Sequence, residues 1–156
     1  MSSSSASATA HVATSPELVF ARLLRHNPAR FYPKSGVLPG VAEVRDQTGA
    51  WDAVGQTRTL VLTDGGTVKE TLTLVSTPRF AYDLSAFTGF FSALVVVGRS
   101  EWRVEPHGEG SSIEWTYTFT AKPGRGFVVA AIVRLAWAPY MRKVLPAIAA
   151  STAATA

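Results

Sequence analysis

The feature that most constrains this chain is its last third, where two alternating segments precede a long and nearly uncharged one. From Ile113 to Thr120, large apolar residues occupy every second position and polar residues lie between them. A period of two is typical of an antiparallel strand with one buried face. The segment that begins at Arg99 alternates in the same way, and the apolar segment from Gly126 onward has the composition of a buried helix. We therefore predict a sheet with an aromatic inner face, covered by one long C-terminal helix.

Length and composition predict a single domain over residues 1–156, with a core over about residues 7–148 and frayed termini. The sequence has no Cys, which excludes a disulfide framework, thiol catalysis and a Cys-ligated metal. The net charge of +4 comes from fifteen scattered Lys and Arg residues. Because the sequence contains no run of five or more basic residues, we expect no nucleic-acid partner.

Neither end of the sequence has the pattern of a targeting signal. The segment Met1 to Ser5 lacks the basic start and apolar core of a secretory peptide. Phe127 to Met141 is the apolar candidate for membrane insertion, but its fifteen residues include Arg134 and Pro139. A spanning helix needs about twenty apolar residues. We therefore expect a cytoplasmic protein without an integral membrane segment, present as a monomer or weak homodimer.

Turn residues and local periodicity predict the remaining elements. Ser15 and Pro16 indicate a helix start, since Ser favours the cap and Pro the first helical position. Pro139 and Pro146 should kink or segment the last helix. The other predicted elements are a short helix from Pro28 to Tyr32, strands Ser7 to Ala13, Val41 to Thr48, Thr57 to Thr63, Thr67 to Ser76 and Arg79 to Ser85, and two strands between Arg99 and Ala121.

Four short motifs support a resemblance to a known family. They are Thr14 to Phe20, Asp64 to Glu70, Thr77 to Tyr82 and Gly98 to Trp102. With these motifs and this order of elements, the chain resembles the polyketide cyclase/START-like (SRPBCC) superfamily, which includes birch-pollen-allergen-type proteins. The resemblance implies the α+β helix-grip fold, in which a curved seven-stranded antiparallel sheet wraps around a long C-terminal helix and encloses a cavity. Members bind lipids, polyketides, hormones or other apolar molecules, and only some are enzymes.

Two charged residues are predicted on the inner face of the third and fourth strands. Alternation places Arg58 and Glu70 on the same face as Leu60, Leu62, Val68, Leu72 and Leu74. Pairing Thr63 with Thr67 across a three-residue turn would put Arg58 on the diagonal of Glu70. An inward Glu is costly unless it is paired, so this pattern favours a buried ion pair. Alternatively, the pair binds a polar group of a ligand, or Glu70 is a general base with a raised pKa.

The inner face also has a band of aromatic residues, which either packs the core or lines a cavity. The apolar connector around Gly89 is either a lid over the cavity or a buried strand edge. The candidate ligand-binding residues are Arg58, Glu70, Tyr82, Phe87, Phe91, Trp102, Trp115, Tyr117, Trp137 and Met141. On the C-terminal helix, Phe127, Ala131 and Leu135 are expected to face the sheet, whereas solvent should surround Arg134, Arg142 and Lys143.

No residue pattern indicates a metal, a cofactor or a catalytic set. The three His residues are far apart in the sequence, and nucleophile, dinucleotide and phosphate-loop motifs are not found. The leading hypothesis is a binding or carrier protein for a hydrophobic small molecule. The second is a polyketide cyclase- or dehydratase-like enzyme that uses Glu70, Arg58 and a Tyr. The third is an interaction module whose apolar helix and connector contact a protein or a membrane surface.

Overall fold

Seven antiparallel strands form one sheet in the order β1-β7-β6-β5-β4-β3-β2 in the computed structural model, which describes residues 2–153. The strands are β1 (Ser3–Val12), β2 (Val41–Arg45), β3 (Thr57–Leu62), β4 (Thr67–Ser76), β5 (Arg79–Ser85), β6 (Val95–His107) and β7 (Gly110–Ala121). The helices are α1 (Pro16–Leu24), α2 (Pro28–Phe31), α3 (Gly126–Ile132), a π-helical turn (Val133–Trp137) and α4 (Ala138–Ala153). The last three are continuous and form the C-terminal helix. The predicted helix-grip architecture is confirmed.

Strand β1 pairs with β7 along its whole length and begins at Ser3 rather than at the predicted Ser7. The Ser/Thr side chains on the outer face explain the longer strand. The hydroxyls of Ser3 and Thr120 lie 3.2 Å apart, and those of Ser5 and Thr118 lie 2.8 Å apart. These cross-strand contacts extend the pairing through a segment that looked low in complexity. At the other edge, β2 ends at Arg45 and not at Thr48.

A bulge in β4 reverses the facing of the strand's second half. Leu72 pairs with Tyr82, but the next paired residue is Leu74, opposite Ala81. The extra residue in the bulge turns Leu74 to the outer face, and Val75 takes the inward position opposite Phe80. The prediction that Leu74 points inward is therefore wrong.

The C-terminal helix packs on the sheet through a different face from the predicted one. Phe127 and Leu135 are 96% and 69% exposed, and Ala131 is also exposed, so the prediction that these residues face the sheet is wrong. The helix is almost uniformly apolar, so composition alone could not identify its inner face. The buried side chains are Val129, Val133, Trp137, Tyr140, Met141, Val144, Leu145, Ile148, Ala149 and Thr152. The predicted exposure of Arg134, Arg142 and Lys143 is confirmed.

The two prolines of this helix have different effects. The π-helical turn ends two residues before Pro139, which has no amide hydrogen to donate to the carbonyl of Leu135. Pro146 lies inside the uninterrupted α4, against the prediction that it would kink or segment the helix. The predicted end of the helix beyond residue 153 lies outside the described residues. Within residues 2–153, no helix is both long and apolar enough to cross a membrane.

Candidate ligand-binding site

Arg58 and Glu70 form a buried ion pair on the inner face of β3 and β4. The Nε of Arg58 donates to Oε1 of Glu70 over 2.7 Å, and the side chains are 4% and 3% exposed. The two residues lie directly opposite each other and not on a diagonal, because the Gly65 amide closes the turn on the Leu62 carbonyl. The predicted pair is therefore confirmed, with a register shifted by two residues. An even shift leaves every side chain on its predicted face.

Trp51 covers the guanidinium of Arg58, a contact that was not predicted from the sequence. The Cζ atom of Arg58 lies 4.0 Å from the centroid of the Trp51 ring, and Trp51 is 1% exposed. A cation over an aromatic face is stabilised by about 0.5–2 kcal/mol. The available signal was a single aromatic residue in the otherwise mostly polar segment 46–56. Arg58 is thus held between a carboxylate and an indole.

A cavity of about 60 Å³ lies between the inner face of the sheet and the C-terminal helix. Six of the candidate residues line it: Glu70, Tyr82, Phe87, Phe91, Tyr117 and Trp137. The rest of the wall comes from α2, the loop that follows it, the strands and α4, through Pro28, Tyr32, Pro39, Val41, Leu60, Leu62, Val68, Leu84, Phe119 and Tyr140. The wall is therefore mostly aromatic and aliphatic, with one carboxyl group.

Four of the candidate residues lie outside the cavity wall. Trp102 and Trp115 stack with their ring centroids 4.6 Å apart, and both are fully buried. The Nε1 of Trp102 donates to the Tyr82 hydroxyl over 3.4 Å, so this pair packs the core and supports a wall residue. Met141 is fully buried, and Arg58 is held by its partners beside the cavity.

The Phe87–Phe91 connector forms part of the wall and is anchored to the β3–β4 turn. Asp64 accepts from the Gly66 amide through Oδ1 over 2.8 Å and from the Phe90 amide through Oδ2 over 3.0 Å. Gly89 has a φ of 82°, and a Cβ there would lie 2.9 Å from the Cα of Gly66. Only glycine allows this close approach without strain. The position of the connector favours a cavity cover over a buried strand edge.

His26 and Tyr32 form a second buried polar pair that the sequence analysis did not identify. The Nδ1 of His26 lies 2.6 Å from the Leu23 carbonyl and so carries the proton, which leaves Nε2 to accept from the Tyr32 hydroxyl over 3.2 Å. Burial lowers the pKa of His26 to about 4. Tyr32 lines the cavity, and its hydroxyl hydrogen points to His26. The other two histidines, His11 and His107, stack with centroids 4.0 Å apart and do not line the cavity.

The electrostatics of the cavity favour neutral groups. Burial raises the pKa of Glu70 above its ordinary value, against the opposing effect of the Arg58 guanidinium. Burial also raises the pKa of Tyr82 to about 12 and that of Tyr117 well above the ordinary value, so both phenols keep their protons near neutral pH. Within residues 2–153, the buried Nε1 of Trp137 has no hydrogen-bond acceptor. The wall therefore offers hydrogen-bond donors and one carboxyl to a neutral molecule.

Comparison with known proteins identifies one family and many solved structures of the same fold. The family profile described as polyketide cyclase/dehydrase and lipid transport matches residues 3–152. A Thalictrum flavum norcoclaurine synthase point mutant in complex with a transition-state analogue has 15% identity and a TM-score of 0.69, covering 98% of both chains. Ara h 8.0201 has 14% identity and a TM-score of 0.65, covering 97% of this chain and 98% of that one.

Major latex-like protein 151 from Panax ginseng has 12% identity and a TM-score of 0.63, covering 95% of this chain and 96% of that one. At such low identities, these structural similarities establish the fold alone. No curated protein sequence matches the chain.

Proposed function

The chain belongs to the polyketide cyclase/dehydrase and lipid transport family, as its sequence suggested, and we propose that it binds or carries a hydrophobic small molecule in the cavity between sheet and helix. The observation that supports this most directly is the wall itself. It combines aliphatic and aromatic side chains with the single carboxyl of Glu70. Concave, mostly apolar sites with a few convergent polar groups are the usual form of a small-molecule site.

The cavity must enlarge to accept a ligand. Its volume of about 60 Å³ is well below the roughly 300–1,000 Å³ of typical ligand pockets. The connector is the part of the wall best suited to move, because its regular structure is one short 3-10 turn, Phe90–Ala93. An apolar ligand that displaces Phe87 and Phe91 outward replaces the contacts these rings make with the wall. The Asp64 hydrogen bonds keep the start of the turn in place.

Two polar groups restrict the chemistry of the ligand. The Nε1 of Trp137 is a buried donor without an acceptor, and leaving such a donor unsatisfied costs about 1–3 kcal/mol. A carbonyl, ether or hydroxyl oxygen of a ligand would satisfy it. The Glu70 carboxyl can accept from a ligand hydroxyl while Arg58 holds it in place. The favoured class is a neutral, lipid- or polyketide-like molecule with at least one oxygen.

A cavity-filling substitution tests binding at this location. Val68 lines the wall and is 3% exposed, so Val68→Phe places a ring in the cavity. We expect this change to weaken binding of N-phenyl-1-naphthylamine, an uncharged apolar fluorescent probe, by about tenfold or more. The matched control is Val54→Phe at a position that is 62% exposed, and it should bind the probe as the original protein does. Equal affinity of the two variants would place probe binding elsewhere and contradict the proposal. Native mass spectrometry of purified protein would then identify any co-purified apolar molecule.

A second candidate function is acid–base catalysis on the bound molecule, supported by the Tyr32–His26 pair at the cavity wall. Glu70, in its ionised form, would remove a proton next to a carbonyl of the ligand. The Tyr32 hydroxyl would turn from His26 to protonate the departing hydroxyl, so that water is eliminated, and the proton taken up by Glu70 would then return to the Tyr32 oxygen. The test is dehydration of a β-hydroxy ketone with a phenyl ring, followed by the absorbance of the conjugated product. Catalysis predicts that Glu70→Gln and Tyr32→Phe abolish turnover but retain probe binding. Equal rates with and without the protein would exclude this second function.

A further inference from the structure

One side of the C-terminal helix presents apolar residues to the exterior of the protein. Phe127, Val128 and Leu135 are 96%, 48% and 69% exposed, and Ala131 on the same side is exposed as well. Val37 is 63% exposed and shares a surface groove with Leu135. We define the apolar face as these five residues. Single exposed apolar residues are ordinary, but a continuous group of them marks an interaction surface.

The charged residues in the segments that form this end of the molecule are basic apart from Asp64, which anchors the connector through the Phe90 amide. No Asp or Glu follows Glu114 in the sequence, whereas five of the fifteen Lys and Arg residues do. All five are exposed, and they are Lys122, Arg125, Arg134, Arg142 and Lys143. Residues 86–98, which include the connector, and residues 2–10 contain no charge, and the loop of residues 33–40 contains only Lys34. This end is therefore strongly positive, while the rest of the protein is close to neutral.

We propose that the apolar face docks on an anionic membrane surface. Phe127, Val128 and Leu135 enter the headgroup region, and the surrounding Lys and Arg side chains contact lipid phosphates and carboxylates. A second copy of the chain is the less suitable occupant, because a symmetric dimer would bring the same basic residues against each other. A membrane with negative lipids instead complements both the apolar and the charged parts of the surface.

The apolar face adjoins the proposed ligand site. Trp137 follows Leu135 by two residues on the same helix and lines the cavity. Its ring packs edge-on against Phe91 of the connector, with centroids 6.4 Å apart. Docking would therefore place the cavity cover close to the lipid, where an apolar ligand could be exchanged. Only this exchange rests on the proposed function, since membrane docking itself does not need an occupied cavity.

Vesicle flotation tests the proposal on the full chain. We expect the protein to float with phosphatidylcholine vesicles that contain about one third phosphatidylserine, and not with phosphatidylcholine alone. Salt at about 0.5 M should reduce the bound fraction by screening. Phe127→Ser with Leu135→Ser should lower the vesicle partition coefficient about tenfold. The matched control, Leu18→Ser with Val54→Ser, changes residues that are 49% and 62% exposed and should float like the original protein.

Charge reversal separates the electrostatic part. Arg134→Glu with Lys143→Glu should also lower the partition coefficient about tenfold, whereas Lys69→Glu, at an exposed position of β4, should have little effect. Circular dichroism and binding of N-phenyl-1-naphthylamine should be unchanged in all four variants. Equal flotation of the two serine variants would overturn the proposal, and so would equal binding of the original protein to neutral and anionic vesicles. A dimer in solution that dissociates only in the variant Phe127→Ser with Leu135→Ser would also overturn it. Loss of probe binding in Val68→Phe with normal flotation would separate docking from ligand binding.

Discussion

Replacing Glu70 with Leu would leave the Arg58 guanidinium buried without its counter-charge. The pair is closed by a 2.7 Å hydrogen bond, and both side chains are at most 4% exposed, so water cannot take the place of the carboxylate. Removing one partner of such a pair costs about 3–5 kcal/mol of unfolding free energy. Trp51 still covers the cation and retains about 0.5–2 kcal/mol of stabilisation, which favours the lower end of that range.

Thermal and urea unfolding, followed by circular dichroism, would measure the loss of unfolding free energy in Glu70→Leu. For a domain of 156 residues, a loss of about 3 kcal/mol corresponds to a Tm decrease of about 6–12 °C. The matched control is Glu105→Leu, which breaks a surface pair with Arg103 over 3.1 Å whose side chains are 45% and 43% exposed. An exposed pair contributes less than about 1 kcal/mol. Equal losses in the two variants would refute the assignment of Arg58 and Glu70 as a desolvated pair.

The double substitution Arg58→Met with Glu70→Leu completes the argument. It removes both charges, so no guanidinium is left unpaired. Replacing a buried ion pair with apolar residues often leaves the free energy of unfolding unchanged or increases it. We expect most of the stability lost in Glu70→Leu to be recovered, and the affinity for polar ligands to change relative to apolar ones. A double variant as unstable as Glu70→Leu would show that the damage comes from packing rather than from the stranded charge.

Three further changes test other parts of the structure. The pKa of His26 is about 4 in the folded protein and 6.5 when unperturbed, so stability should be lost as pH falls from about 6.5 to about 4. This loss, about 3 kcal/mol, should disappear in His26→Gln when urea unfolding is measured across that range. A Cβ at Gly110 would meet the Val12 carbonyl, so Gly110→Ala should lower Tm by several degrees, whereas Gly98→Ala has ordinary contacts and should be tolerated. Truncation after residue 124 removes the helix that covers the sheet, and a cooperative melt of that fragment would contradict the packing described above.

Alternation along strands was sufficient to predict the buried pair. The inferred register placed Arg58 two residues away from its true partner position, but faces repeat every two residues, so the side chains still pointed inward. Alternation does not predict the facing of Leu74, because a bulge adds one residue to β4. A shift by an odd number of residues moves every following side chain to the opposite face of the sheet. The sequence shows no signal for this bulge. Strand periodicity therefore predicts facing well only up to the first irregularity.

Contacts made from loops and helix ends could not be predicted in this way. Trp51 approaches Arg58 from a loop, and Tyr32 reaches His26 across a helix boundary, so neither contact follows from periodicity. The aromatic residues on the inner face of the sheet also have two different roles. Trp102 and Trp115 fill the core, while Tyr117 lines the cavity, and the difference depends on where the covering helix leaves a gap. That gap depends on tertiary packing, which a single sequence does not display.

The irregular turn in the C-terminal helix connects the cavity with the proposed docking face. Residues four apart in an α-helix drift about 40° around the axis at each step. Five residues at this spacing are nevertheless all buried: Val129, Val133, Trp137, Met141 and Leu145. The π-helical turn contains more residues per turn and so corrects part of this drift, and Pro139 favours it by withholding an amide hydrogen from the Leu135 carbonyl. Trp137 thereby stays on the cavity wall while Leu135 faces outward. One local irregularity thus places an indole donor on the cavity wall and an exposed apolar residue on the proposed docking face.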